Sequence, residues 1–379
     1  MLSEPVHPRA RGLSPTLSVY LDLLRLAAAL AVFGGHLFTN ARWTGFRNDH
    51  LSIQNDAVIC FFVLSGLVIG FAAQEKEHDL GTFLRARLAR LWSVAIPALL
   101  LTPLLDWIGQ SIDPAAYSVP MPGLGEVLDQ GFVSSLFLNE AHDWSVIPGS
   151  NLPYWSLSYE FFYYLLFAFA FYLKGWWRVL AMAAAAALAG PRILLLAPVW
   201  LMGLAVWHGR KSIPAWAGWP LVVGSILVYG FLAFSGIGPQ LGQYLDAALF
   251  KDSWLDWSRL SGWKYLLGLL VAMNILGFAA LADRISFGRA APVIRAAAGG
   301  TFALYLFHYP LLSFFAAVAP GPHQGMLRCL EIGSLTLACV VGLAWLTERQ
   351  KGRWRRLLDR LWNEAGRLRV PDRRRWDEA

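Results

Sequence analysis

The chain reads as an all-α integral membrane protein, a polytopic bundle of about ten transmembrane helices, and three observations lead there. Hydrophobic residues make up 56% and charged residues 15% of its 379 positions, and the mean hydropathy is +0.46, outside the range of soluble globular domains. Apolar stretches close to the length that crosses about 30 Å of hydrocarbon recur along the sequence. The basic residues stand beside those stretches in a biased pattern, as membrane topology requires.

Ten spans follow from the apolar runs, at about 17–38, 56–73, 92–109, 154–173, 177–190, 191–207, 217–236, 263–282, 299–319 and 327–346. The fifth and sixth are short and separated only by Gly190, Pro191 and Arg192, so they read either as a tight helical hairpin or as one broken element. The first run follows Arg9 and Arg11 as a secretory signal would, yet it carries Asp22 and Arg25 and is expected to remain as an uncleaved helix. The expected domain plan is a cytoplasmic segment 1–16, one transmembrane domain 17–346 and a basic cytoplasmic tail 347–379.

Positive charge retained on the cytoplasmic side sets the orientation. Starting with the amino terminus inside, the inner segments hold Arg85, Arg87 and Arg90, then Lys174 and Arg178, Arg210 and Lys211, then Arg284, Arg289 and Arg295, and finally the tail. Eleven Lys or Arg follow Thr347, whereas the outer loop from Gln110 to Pro153 has none. Both termini are therefore expected in the cytoplasm. Arg42, Arg47, Lys251 and Arg259 are the outer exceptions. The tail alternates Arg353, Arg355, Arg356 and Arg360 with Trp354, Leu357, Leu358, Leu361 and Trp362, the pattern either of a basic amphipathic helix on the inner leaflet or of a solvated topogenic tail. This distribution assigns the net charge of +7 to the lipid bilayer and its surface, and nucleic acid is not an expected partner.

Ionisable groups inside a span are costly and mark functional candidates. Asp22, Arg25 and His36 lie in the first. Eleven residues turn the helix through about three full revolutions, so Arg25 and His36 share a face about 16 Å apart along the axis, Arg25 in the inner half and His36 near the outer end. Asp22 stands one turn before Arg25 and can pair with it. Cys60, Cys329 and Cys339 fall in apolar runs and read as buried free thiols. No HExxH or CxxC pattern occurs, and His36, His50, His78, His142, His208, His308 and His323 are scattered, so no metal is expected. Walker A and dinucleotide fingerprints are equally missing from the sequence.

Four further segments complete the pattern: FFVLSG at Phe61 to Gly66, Arg87-Leu88-Ala89-Arg90, WSLSYE at Trp155 to Glu160, and LYLFHYP at Leu304 to Pro310. With the first-span basic residue and the histidine eleven positions later, these resemble, in order, the motifs of acyltransferase family 3, over residues 20 to 310. The chain differs from many relatives at Leu24 and Leu26, where they have Gly, and at Ile59, where they have Asp.

The resemblance implies transfer of an acyl group, often acetyl, from cytoplasmic acyl-CoA to a sugar hydroxyl at or beyond the outer face. On that reading His36 serves as general base, with Glu160 at similar depth as its acid partner and Arg25 beside them in the catalytic set. Arg87 and Arg90, one turn apart at the inner interface, hold the CoA phosphates as two guanidinium forks. Tyr305 and His308 share a helix face and either line the pantetheine passage or bridge helices. Ser65, Ser156 and Ser158 read as packing or backbone-bonding serines rather than nucleophiles, and Trp155 as an interface anchor. A transporter or flippase for a glycolipid or small metabolite is the rival class, since buried charges also line transport passages.

Overall fold

The computed structural model describes residues 12–41, 52–250, 255–319 and 324–368. Arg9, Arg11, Arg42, Arg47, His50, Lys251 and His323 lie outside them. Thirteen α-helices and no strand occur among the described residues: α1 Pro15–Asn40, α2 Ile53–Glu75, α3 Leu80–Ile112, α4 Leu124–Ser135, α5 Trp155–Tyr172, α6 Gly175–Gly209, α7 Gly218–Phe234, α8 Ile237–Leu249, α9 Ser261–Leu281, α10 Ala290–Ala298, α11 Thr301–Val318, α12 Met326–Leu346 and α13 Lys351–Leu368. Eight of the helical stretches, those of α1, α2, α3, α6, α7, α9, α11 and α12, are long and apolar enough to cross a membrane.

The difference from ten has two sources. The expected fourth span, α5, is a helix of 18 residues, but its four Tyr, two Ser and Glu160 lower its apolarity. The expected fifth and sixth spans form the single helical stretch α6, broken at Gly190, whose φ of 79° and ψ of 173° leave the helical region. Both arms line one cavity, Met182 and Ala186 from the first facing Leu194 and Leu201 from the second. Gly190 is required there, because a Cβ would lie 2.5 Å from the Cα of His142.

Small residues let α2 and the second arm of α6 pack backbone to backbone. A Cβ on Gly66 would stand 2.0 Å from the Trp200 carbonyl oxygen, and one on Gly203 would stand 1.9 Å from that of Val63. Such reciprocal contacts compensate for the weak apolar drive between helices in lipid.

The connections gather at two ends. At the basic end, Thr16 Oγ1 donates to the Ile285 carbonyl at 3.2 Å, Tyr172 to that of Glu77, and the Ala303 amide to Glu348 at 3.0 Å. There α13 docks on α3 through Arg85, which pairs with Asp359 at 2.7 Å and lies over the Trp362 ring. At the far end, the Gly325 amide donates to the Ala41 carbonyl and the His142 amide to that of Ala189. Two cations at the far end are neutralised locally. Arg192 pairs with Asp256 at 2.7 Å, and the buried Arg328 pairs with Glu331 at 2.9 Å while donating to the Ala316 and Ala319 carbonyls.

Two side chains depart from expectation. Trp155 is buried and stacked on Trp257 at 5.1 Å and 4°, so it packs inside the protein instead of anchoring at lipid headgroups. Cys339 is exposed on α12, because that helix has few neighbours, while Cys329 is buried and Cys60 half-buried. The segment from Gln110 to Pro153 also contains α4, an amphipathic helix whose Leu124, Leu128 and Phe132 form an exposed stripe.

Candidate active site

Two polar clusters lie on the shared face of α1, one around Arg25 and one around His36. Arg25 donates to Asp22 at 3.1 Å, as the spacing suggests. With Arg90 from α3, Ser65 from α2, Glu160 and Ser156 from α5, and Tyr305 from α11, it lines a narrow cavity walled by Phe61, Phe62 and Phe302. The cavity has about 50 Å³ of water-accessible space, room for one or two waters.

Glu160 is the acidic centre of this cluster. Its Oε1 accepts from Ser65 at 3.1 Å and, through a shorter contact, from Tyr164. Both Arg25 and Arg90 stand within electrostatic reach of the carboxylate. The expected pairing of Glu160 with His36 is therefore corrected: the carboxylate faces the two arginines, because α5 directs it toward α2 and α3 while His36 points to α11. Trp200 also donates to Ser65, at 3.2 Å, so the serine bridges α2, α5 and α6.

The two arginines of the expected double fork have different surroundings. Arg87 is held by Glu77, N to O 2.6 Å, with both side chains about nine-tenths buried, because the loop after α2 returns Glu77 against the start of α3. The Arg90 guanidinium, one turn deeper, has no hydrogen bond or ion pair within 4 Å among the described residues, and Arg90 lines the cavity. Glu348, whose Oε2 accepts from Ala303, adds a second carboxylate within electrostatic reach of Arg90 and Arg25.

Tyr305 forms the cavity's far wall. Its hydroxyl lies 2.7 Å from Ser156 Oγ and 3.1 Å from the Pro153 carbonyl oxygen, and its ring stands edge-on to Phe61 at 5.5 Å. Ser158 donates to the Phe137 carbonyl at 2.6 Å and accepts from the Glu140 amide, tying α5 to the loop before it. Neither serine is placed as a nucleophile.

The second cluster begins one turn beyond Tyr305. His308 is fully buried and does not line the cavity; its ring centroid is 5.3 Å from that of His36, and Tyr309 stands edge-on to His36 at 4.9 Å. Ser65 reads from the sequence as a packing or backbone-bonding serine, whereas Tyr309, Tyr164 and Glu77 are not among the candidates; a ring beside the LYLFHYP histidine is the one signal available for them.

Over the far end, Asn139 and Glu140 are fully buried, and Glu140 is pushed up to about 8 by burial, with the Asp256 carboxylate adding to the effect and Arg192 opposing it. Phe137 and His142 flank them at φ 57° and 56°, left-handed conformations that cost non-glycine residues energy.

The Acyltransferase domain model, Acyl_transf_3, matches residues 18–348. A curated relative, Acyltransferase MdmB of Streptomyces mycarofaciens, is 33% identical over 178 residues, 43% of this chain and 43% of the relative. The match thus spans less than half the length of that protein. No solved structure matches the chain.

Proposed function

Since the chain belongs to the acyltransferase family whose domain fills most of it, we propose that it transfers an acyl group, acetyl in the simplest case, from cytoplasmic acyl-CoA to a hydroxyl of a carbohydrate at the cell surface or bound for export. The observation that carries this reading is the succession of polar side chains from Arg90 and Arg25 in the cavity, through Tyr305 and the buried His308, to His36. The basic end faces the cytoplasm of a cell membrane and both termini lie there, in keeping with the loop charges.

Arg90 receives an anionic part of the donor, since among the described residues its guanidinium makes no hydrogen bond or ion pair that the donor would have to displace. Glu160 balances Arg25 and Arg90 before the donor arrives and keeps them turned into the cavity. Arg87 holds the mouth of α3 against Glu77. Because the cavity admits only one or two waters, the donor arm enters by displacing Tyr305 and Phe61.

At the far end of the track His36 takes the proton of the acceptor hydroxyl as its oxygen bonds to the thioester carbon. The carbon–sulfur bond then breaks, and the proton passes to the CoA thiolate, so an ester and a free thiol leave.

The test is transfer from labelled acetyl-CoA to glycan acceptors by the purified protein in detergent. His36→Ala is expected to lower turnover by about 10²-fold or more, and Arg90→Ala to raise the KM for the donor. Wild-type turnover by His36→Ala on a true acceptor would refute the reading.

A further inference from the structure

The His308 imidazole has a determined tautomer. Its Nδ1 lies 3.0 Å from the Leu304 carbonyl oxygen and 2.8 Å from that of Tyr305. Both oxygens can only accept, so Nδ1 carries the hydrogen. A neutral imidazole has one N–H, which leaves a lone pair on Nε2. That atom is fully buried and has no hydrogen-bond partner among the described residues. A bare acceptor at such a site is costly unless something donates to it.

Four aromatic rings pack around His308 among the described residues, and they differ in what they can donate. Phe33 stands edge-on at 6.3 Å and has no polar hydrogen. Tyr305 and Tyr309 are each 6.4 Å away, and the Tyr305 hydroxyl is engaged with Ser156 and Pro153. His36 is nearest, at 5.3 Å between centroids and 34° between planes. Two imidazoles joined by an N–H to N bond of about 3 Å have centroids about 5 Å apart, so a small ring rotation makes the bond.

We infer that His308 is the positioning residue of His36: its Nε2 accepts the one N–H of His36, fixes that ring's tautomer and rotation, and leaves the opposite nitrogen as the bare base. The chain of command runs from the α11 carbonyls to His308 and from His308 to His36. An imidazole here replaces the carboxylate that orients the base in a serine-protease triad. Unlike a carboxylate, it adds no buried negative charge between the arginine cavity and the far end.

The inference rests on the reading of His36 as base, and its test separates the two. Selective ¹⁵N-histidine labelling of the full chain in detergent, with the His36 signals assigned by their loss in His36→Gln, reports the tautomer directly. The expected result is one dominant neutral tautomer at His36 in the wild type and a mixture of both in His308→Phe. Turnover should fall by about 10²-fold in His308→Phe with the donor KM unchanged, and His308→Gln, whose amide oxygen can accept, should recover most of it. An unchanged His36 tautomer in folded His308→Phe overturns the inference whatever the activity. Wild-type turnover by His36→Ala would instead overturn the base reading.

Discussion

Arg87 offers a sharp test of how the mouth of α3 is built. Its pair with Glu77 is 2.6 Å long, with side chains 11% and 9% exposed, so removing one partner strands a buried charge. Such losses cost roughly 3–5 kcal/mol. The lower end applies here, because only one hydrogen bond joins the pair: Arg87 Nε and Glu77 Oε2 are buried without partners. The guanidinium also lies over Phe83 at 5.4 Å, a contact that an apolar side chain partly replaces. Arg87→Met and Glu77→Gln should then each destabilise by about 3 kcal/mol, and the double variant by no more than one of them, a coupling of about 3 kcal/mol. The assay is reversible unfolding by sodium dodecyl sulfate in mixed micelles, run on all four proteins. Additivity within about 0.5 kcal/mol would refute the pairing argument. So would an Arg87→Met protein of full stability whose defect is confined to the donor KM.

Two more outcomes follow from packing and charge. Gly203→Ala should destabilise by about 1–3 kcal/mol, since its Cβ would enter the space of the Val63 carbonyl, and a Gly224→Ala control, with open space around it, should be neutral in the same unfolding assay. Glu140, a carboxyl raised to about 8 at the far end, stays protonated in the folded protein at pH values where the unfolded chain has released its proton. The folded state therefore binds more protons between about pH 4.5 and pH 8, so stability falls across that window as pH rises, and Glu140→Gln should flatten the slope.

Legibility in the sequence tracked helical geometry within one element and faded between elements. Arg25 and His36 share a face because 3.6 residues per turn dictates it, and Asp22 pairs with Arg25 for the same reason. Depth along a helix gave Glu160 and His36 similar heights, but height says nothing of which way α5 is rotated, and the carboxylate turns to the arginines. Arg87 and Arg90 were legible as neighbours, whereas the capture of Arg87 by Glu77 depends on how the loop of residues 76–79 folds back. The amphipathic α4 could have been found from Leu124, Leu128 and Phe132, four apart in a stretch that also carries Glu126, Asp129 and Gln130. The burial of Asn139 and Glu140 has no local signal, since a polar pair in a long loop reads as solvated. The break at Gly190 is one of the two readings that the short apolar runs allow, and the contact with His142 that requires a glycine there spans 48 positions.

The hydroxyl of Tyr305, clasped by Ser156 and the Pro153 carbonyl, has an electrical consequence. Guanidinium groups stand on one side of it and imidazoles on the other, and a file of water joining them would give protons a path through the bundle. One ring, wedged edge-on against Phe61, stands across that path. On the proposed mechanism, a donor arm that displaced this ring would fill the same gap, so the barrier would pass from protein to substrate.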